Sequence, residues 1–503
     1  MDQPSAPRLS LTTMDSARSG AVRFGYDRSR LRPRIVHLGL GAFFRAHGAL
    51  FTEDVLAEGG GDWGIVGASL KRPEQRNRLL PQNCLYTAVE TGPAGQQARL
   101  VGCLLDVLVG PESPGAILEL LSGPDTEIVT LTVTEKGYCH DPASGQLNAD
   151  HPDIRRDLAN PDAPQSAVGL LAGALARRRA AGLQPFTVAT CDNLPRNGAL
   201  LARLVGDFAA LRDDALASWI ESYVPFPNGM VDRIVPAEAP GDLDQVEKLI
   251  GLLDAAPVMH EPFRQWVLED RFVNDVRPSW QRAGAQFVSD VAPFEHAKLR
   301  MLNGSHSALA YLGYLAGHET IVDVVSDETF RKYIKRFWSE DVIPVLPALR
   351  GMDLDRYADQ LLARYSNPAI RHRTWQIAMD GSQKLPQRLL SSIRDNLRRN
   401  RPFPYLALAV AGWMRYVTGV DEKGGVIDVR DPLARLLRER IEAAGDTAAD
   451  QARALISVEA VFGDDLKDSA EFVTAVTNSY GRLIRDGAQR AVAGLVGDYI
   501  GPH

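Results

Sequence analysis

Lys298, Asn303 and His306 stand within nine residues of one another, inside a run of small and apolar residues from Pro293 to Gly313 that reads as a buried helix. At 3.6 residues per turn, Lys298 and His306 fall within about 80° of each other around the axis, with Asn303 roughly 60° beyond the histidine, so the three can share one broad face. Burial disfavours the charged form of a lysine and lowers its pKa from about 10.4, which suits a general base working near neutral pH. Such an amine can take a proton from an alcohol. Asn303 and His306 can hold the same oxygen and stabilise the charge that develops on it. A competing reading stands beside this one: a lysine at a helix start commonly snorkels to water, and a single Asn or His on a helix is commonly a satisfied structural group. Gly304 and Ser305 between them would let a ligand approach closely.

With Lys298-x4-Asn303-x2-His306 the chain resembles the polyol-specific long-chain dehydrogenases, the mannitol dehydrogenase family, and the resemblance runs over nearly the whole chain. It implies that Lys298 is the general base. It also implies that Asn193, in the run Cys191, Asp192, Asn193 after a strand, helps polarise the substrate oxygen, and that Asp232, in the pair Asp232 and Arg233, orients the substrate or tunes the lysine. Without the resemblance, Asn193 reads as a helix N-cap and Asp232 as half of an ion pair.

The elements that must position these groups begin with a short apolar strand, Arg34 to Leu38, followed at once by Gly39, Leu40 and Gly41 and then by a helix reaching about Glu58. Strand, GxG turn and helix are the dinucleotide-binding arrangement, which brings a pyrophosphate onto a helix N-terminus. Phe44 replaces the third glycine of the fingerprint, and the resemblance covers that shortened form, with Phe43 and Arg45 following the glycines. A second strand, Trp63 to Leu70, ends at Lys71 and Arg72, whose charge favours the 2′-phosphate of NADP. The resemblance instead points to the acid at Glu74 and to NAD. NAD is the expected cofactor, with NADP kept as the alternative. A β-branched run from Glu127 to Thr134 is a strand, and by resemblance Thr134, Lys136 and Gly137 after it lie near the nicotinamide. Ala167 to Ala181 is helical, and Phe186 to Thr190 and Gly284 to Asp290 are further strands.

The expected fold is therefore α/β, a Rossmann-like nucleotide domain over residues 31–292 preceded by an arm, residues 1–30, and followed by a mostly α-helical domain over residues 293–503. Helical periodicity dominates that second part, with breaks near Ser366 to Pro368, Asn400 to Pro404 and Gly419 to Gly425. Within it, Arg371, Arg373 and Lys384 can bind oxygen anions. Arginine forks suit carboxylates, although arginines on a helix surface are equally solvating groups. This segment resembles the uronate-handling branch of the family, the fructuronate reductases, and Lys384 matches a position that reaches the substrate.

Composition limits the alternatives. At 503 residues, with 45% hydrophobic and 24% charged residues, the chain is long enough for two or three globular domains. A net charge of −7 argues against a nucleic-acid surface, and Arg177, Arg178 and Arg179 read as a solvated helix face. Cys84, Cys103, Cys139 and Cys191 show no CxxC spacing, which fits a reducing cytoplasm. No run of about 18 apolar residues suggests a membrane span, and histidines are too scattered for zinc spacing, so no metal is expected. The expected activity is reversible hydride transfer between NAD and a linear sugar derivative, D-mannonate and D-fructuronate first, mannitol and fructose or another polyol second. The partners are small molecules, and the sequence leaves the oligomeric state open.

Overall fold

The computed structural model describes residues 6–141, 144–349, 351–368 and 372–497, which divide into two compact units, residues 1–292 and 293–503. The first contains eleven strands among its described residues: β1 (Arg32–Leu38), β2 (Trp63–Ser69), β3 (Tyr86–Gly92), β4 (Gly95–Val101), β5 (Leu104–Val109), β6 (Ile128–Leu131), β7 (Thr187–Thr190), β8 (Gly229–Asp232), β9 (Val258–His260), β10 (Gln265–Glu269) and β11 (Gln286–Val288).

Five of these form one parallel sheet in the order β5-β2-β1-β6-β7. Apart from β5, at one edge, and the start of β1, these strands are buried on both faces, which is why they read as apolar or β-branched runs rather than as alternating ones. Along β1 the side chains divide between two cores: Ile35 packs with Phe44, Phe51 and Trp266, and Val36 and Leu38 pack with Leu131, Leu170 and Tyr138. Chain order along this sheet reverses between β1 and β6, where Leu38 stands beside Leu131. Open α/β sheets bind ligands at the carboxyl ends of the strands at such a switch point.

Two small sheets complete the unit, β4-β3-β9 and β11-β10-β8. Residues 6–30 are held against the first of them: Leu9 is fully buried and its N–H donates to Leu253 O, and Val22 bridges Arg99.

Three elements differ from expectation. The expected strand from Glu127 to Thr134 ends at Leu131, because the Val133 and Thr134 N–H groups are claimed by the Asp192 carboxylate rather than by a neighbouring strand. The helix expected up to Glu58 is two helices, Ala42–Ala46 and Gly48–Ala57, broken at His47 (φ −127°, ψ −88°). Residues 284–290 hold only the three-residue strand β11.

The regular elements among the described residues of the second unit are all helices. Its breaks coincide with turn residues, as at Gly419 (φ 79°) and at Asn400 (φ 51°), which ends the helix Ser391–Arg398 before Pro404 opens the next. The helix Gly304–Leu315 is buried along nearly its whole length. It packs against Pro404–Tyr416, where the Cβ of an alanine at Gly412 would lie 2.8 Å from the Leu312 side chain. No helix among the described residues is long and apolar enough to cross a membrane.

Candidate active site

The run from Pro293 to Gly313 is not one regular helix. Ala292–Ala297 is α-helical, Lys298–Asn303 is a π-helical turn, and α-helix resumes over Gly304–Leu315. Gly304 N–H reaches Leu299 O, five residues back. The angular offsets expected from 3.6 residues per turn therefore do not hold across this segment. Single π-turns inside α-helices recur at functional sites, because they displace backbone carbonyls from the regular ladder.

Two displaced carbonyls are satisfied by side chains. Met301 O accepts from Trp338 Nε1 (3.0 Å) and from Ser305 Oγ, and Leu302 O accepts from the Tyr365 hydroxyl (2.9 Å) and from Ser305 Oγ (3.1 Å). The Ser305 and Tyr365 hydroxyls lie 2.8 Å apart. Such bonds keep an irregular turn from reverting to a plain helix.

Lys298 opens this turn and is 8% exposed; Asn303 closes it and is half-buried. His306 follows, 9% exposed, its ring stacked on Tyr365 at 4.6 Å and 5.3 Å from the ring of His372. Burial, with His372, Arg364 and Arg388 adding like charge, holds the His306 ring well below its ordinary pKa, so it is neutral. Gly304 allows the turn to form: a Cβ there would lie 2.7 Å from the Arg388 carbonyl oxygen.

Of the three groups expected to bind oxygen anions, Arg371 lies outside the described residues. Arg373 is exposed and precedes the helix Thr374–Ala378. Lys384 is half-buried and donates to the Met379 and Ile377 carbonyls, at 2.5 and 3.3 Å. Burial, and then Arg388, lower its pKa.

In the first unit, Gly39 (φ 92°) turns the chain off β1 so tightly that a Cβ there would lie 2.3 Å from Thr132 O, beyond the end of β6. Only glycine meets both conditions. At Gly41 an added Cβ would meet nothing nearer than Gly39 O at 3.8 Å, so the turn is uncrowded at the switch point, where open α/β sheets bind ligands. Phe43 is half-buried and stacks on His47 at 5.1 Å. Arg45 turns inward instead: it is 3% exposed, donates to Ala256 O, and lies over the Tyr86 ring. Glu74 is exposed at the start of the helix Glu74–Leu79, with Lys71 and Arg72 also exposed just before it.

The loop after β6 faces the glycine turn across the switch point. Thr134 sits at φ 63°, ψ 164°, a costly conformation for a β-branched residue. Asp192, after β7, holds it there by accepting from Val133 N–H (3.0 Å), Thr134 N–H (2.9 Å) and the Tyr138 hydroxyl (2.8 Å). Lys136 is exposed and Gly137 half-buried, with a Cβ at Gly137 only 2.9 Å from the Val133 side chain. Asn193 is exposed next to Asp192. Asp232 is 5% exposed at the end of β8, opposite Gln265.

Sequence reasoning passed over several of these supports. Asp192 carries a signal, an acid at the end of a strand. His37 is fully buried on β1, bonded to Thr130 and Thr132 (2.9 Å each) and stacked on Phe44 at 3.4 Å, and burial pushes it down to about 3. Asn197 is buried and ties the loop after β7 to β8, donating to the Asp192 and Gly229 carbonyls and accepting from Gly229 N–H. No spacing rule marks either. The structure also brings Cys139, His151 and Asp153 within 4.8 Å, but burial pushes the thiol up to about 11 and Asp153 pairs with Arg156 at 2.8 Å.

Residues 33–282 match the family model of the mannitol dehydrogenase Rossmann domain, and residues 290–484 match that of the mannitol dehydrogenase C-terminal domain. The chain belongs to the mannitol dehydrogenase family. It is accordingly an oxidoreductase acting on CH–OH groups. Among members of the mannitol dehydrogenase family, it is 49% identical to the D-mannonate oxidoreductase of Escherichia coli (strain K12), covering 96% of this chain and 100% of that protein. The Pseudomonas fluorescens mannitol 2-dehydrogenase, in a ternary complex with NAD and D-mannitol, superimposes with a TM-score of 0.84 at 37% identity, covering 98% of this chain and 100% of that one. A D-sorbitol dehydrogenase in substrate-free form gives 0.88 at 34% identity, covering 96% of this chain and 100% of that one.

Proposed function

We propose that this mannitol dehydrogenase family member interconverts D-mannonate and D-fructuronate with NAD, and that Lys298 is the general base. The observation that carries the choice of a sugar acid is the charge around His306. Among the described residues, two of the groups acting on this ring, Arg364 and Arg388, are cations, while burial holds the third, His372, below its ordinary pKa, a setting that favours an anionic substrate over a neutral polyol. The extent of the likeness to the D-mannonate oxidoreductase supports the same substrate.

NAD, which the turn Gly39 to Gly41 and the loop Thr134 to Gly137 would hold, would supply the hydride acceptor for the carbinol carbon. Lys298, as a neutral amine, takes the hydroxyl proton and becomes an ammonium, leaving a carbonyl; in the reducing direction it returns that proton to the developing alkoxide. Asn303 can donate its amide N–H to the same oxygen. His306, being neutral, can donate one ring N–H, which stabilises the charge without competing for the proton that Lys298 moves. The side chains that lock the π-turn, Trp338, Ser305 and Tyr365, keep the backbone that carries Lys298 and Asn303 in place.

The alternative reading is a mannitol 2-dehydrogenase, favoured by the likeness to the enzyme complexed with NAD and D-mannitol. Oxidation of NADH and of NADPH with D-fructuronate and with D-fructose, measured side by side, separates the two. The reading expects NADH with D-fructuronate to give the highest kcat/KM. A preference for fructose overturns the substrate, and a preference for NADPH overturns the cofactor.

A further inference from the structure

Arg388 lies on the π-helical turn Pro386–Leu390, whose backbone touches the lysine-bearing segment at Gly304. Its Nη1 donates to Ser307 Oγ at 3.2 Å, which places the guanidinium beside the residue that follows His306. The side chain is withdrawn from water far enough that desolvation lowers its pKa, and only the Tyr311 and Tyr365 phenols act in the opposite sense. Among the described residues no carboxylate pairs with it. It is nevertheless half-buried rather than sealed.

Two other arginines drawn into this protein are compensated, whereas Arg45 keeps an unbonded Nε and lies over the Tyr86 ring. Arg300 pairs with Asp395 at 2.5 Å, and Arg233 donates to the Ala46, Glu261 and Pro262 carbonyls. Arg388 offers five N–H donors in a planar fork and has one hydroxyl acceptor. A guanidinium taken out of water without an anion is costly unless something supplies the missing charge. The fork suits a carboxylate bound through both oxygens.

Resting on the sugar-acid reading above, we infer that Arg388 is the residue that receives the substrate carboxylate, in place of the exposed Arg373. Its position on the Ser307 side of His306 sets the carboxylate at a fixed distance along the chain from the oxygen that Lys298 and His306 hold. One end of the sugar is thereby fixed by charge and the other by the chemistry. Arg388 is thus a specificity determinant: it rewards an acid terminus and gives a hydroxymethyl terminus little.

The test is kcat/KM for D-fructuronate and for D-fructose in wild type, Arg388→Leu and Arg388→Lys, with thermal melting and NADH titration on each. Arg388→Leu is expected to lower kcat/KM for fructuronate by about 100-fold or more, chiefly through KM, and to lower kcat/KM for fructose by at least about tenfold less. Arg388→Lys is expected to recover part of the loss, because it restores the charge but not the fork. An Arg388→Leu enzyme that keeps the wild-type preference for fructuronate overturns the inference while leaving the sugar-acid reading intact. Equal losses on both substrates, unrelieved in Arg388→Lys, also overturn it, because they mark a structural role. A wild type that itself prefers fructose removes the sugar-acid reading and the inference with it.

Discussion

Replacing Asp192 by Asn should weaken cofactor binding with little loss of stability. One carboxylate oxygen of Asp192 accepts from Val133 N–H and the Tyr138 hydroxyl, and the other accepts from Thr134 N–H. An amide can place its single oxygen on the first pair only by aiming its NH2 at Thr134 N–H, donor against donor. Leaving a part-buried donor unmet costs about 1–3 kcal/mol. Thr134 is held at φ 63°, ψ 164°, itself a strain of about 1–3 kcal/mol. When the bond is lost the loop relaxes, so the two terms largely offset one another in the free protein and the melting temperature changes little. Binding must then restore the strained loop, and the same 1–3 kcal/mol appears as a roughly 5- to 150-fold rise in the Kd for NADH. Fluorescence titration of NADH alongside thermal melts measures both quantities. A Kd within twofold of wild type would refute the placement of Thr134, Lys136 and Gly137 at the cofactor.

Asp341 is fully buried, with Leu406 N–H donating to it at 2.8 Å, and burial raises its carboxyl from 3.8 to about 7. Because the folded state holds this proton more tightly than the unfolded chain, the stability it lends is complete below about pH 3.8 and lost as pH rises through about 7. The loss is on the order of 4 kcal/mol. Asp341→Asn keeps an acceptor for Leu406 and removes the titration, so it should melt higher than wild type at pH 8 and much closer to it at pH 4; a difference independent of pH would count against this assignment. Gly304→Ala gains helix propensity worth up to about 1 kcal/mol but sets a Cβ 2.7 Å from the Arg388 carbonyl oxygen. Overpacking against backbone, about 1–3 kcal/mol, should outweigh the gain, lowering both the melting temperature and kcat; a variant more stable than wild type would show that the π-turn has room to spare.

Much of the fold was legible because the parallel strands are buried on both faces and therefore apolar throughout, as in Trp63 to Ser69, and because Gly39 must be glycine on two counts. The hairpin of β3 and β4 and the short strands β8 and β9 were not legible. β3 and β4 form a local hairpin that closes at Gly92 and Gly95, but β9 joins it from far along the chain, pairing Ala88 with Val258, and local periodicity carries no trace of that. The π-turn at Lys298 was equally hidden. It is set by Trp338 and Tyr365, contributed from other helices of the same unit, and the sequence from 298 to 303 alone reads as ordinary helix. Arg45 shows the reverse error: its place after the glycines suggested a cofactor contact, and its side chain lies in the core over Tyr86.

The most direct test of the central claim, that the buried Lys298 moves the substrate proton, is kcat for Lys298→Ala with NADH affinity measured on the same preparation. The account predicts a loss of about 10²- to 10⁴-fold in kcat, an unchanged Kd for NADH, and partial recovery on adding a small primary amine. Turnover within a few-fold of wild type, with NADH still bound, would contradict it.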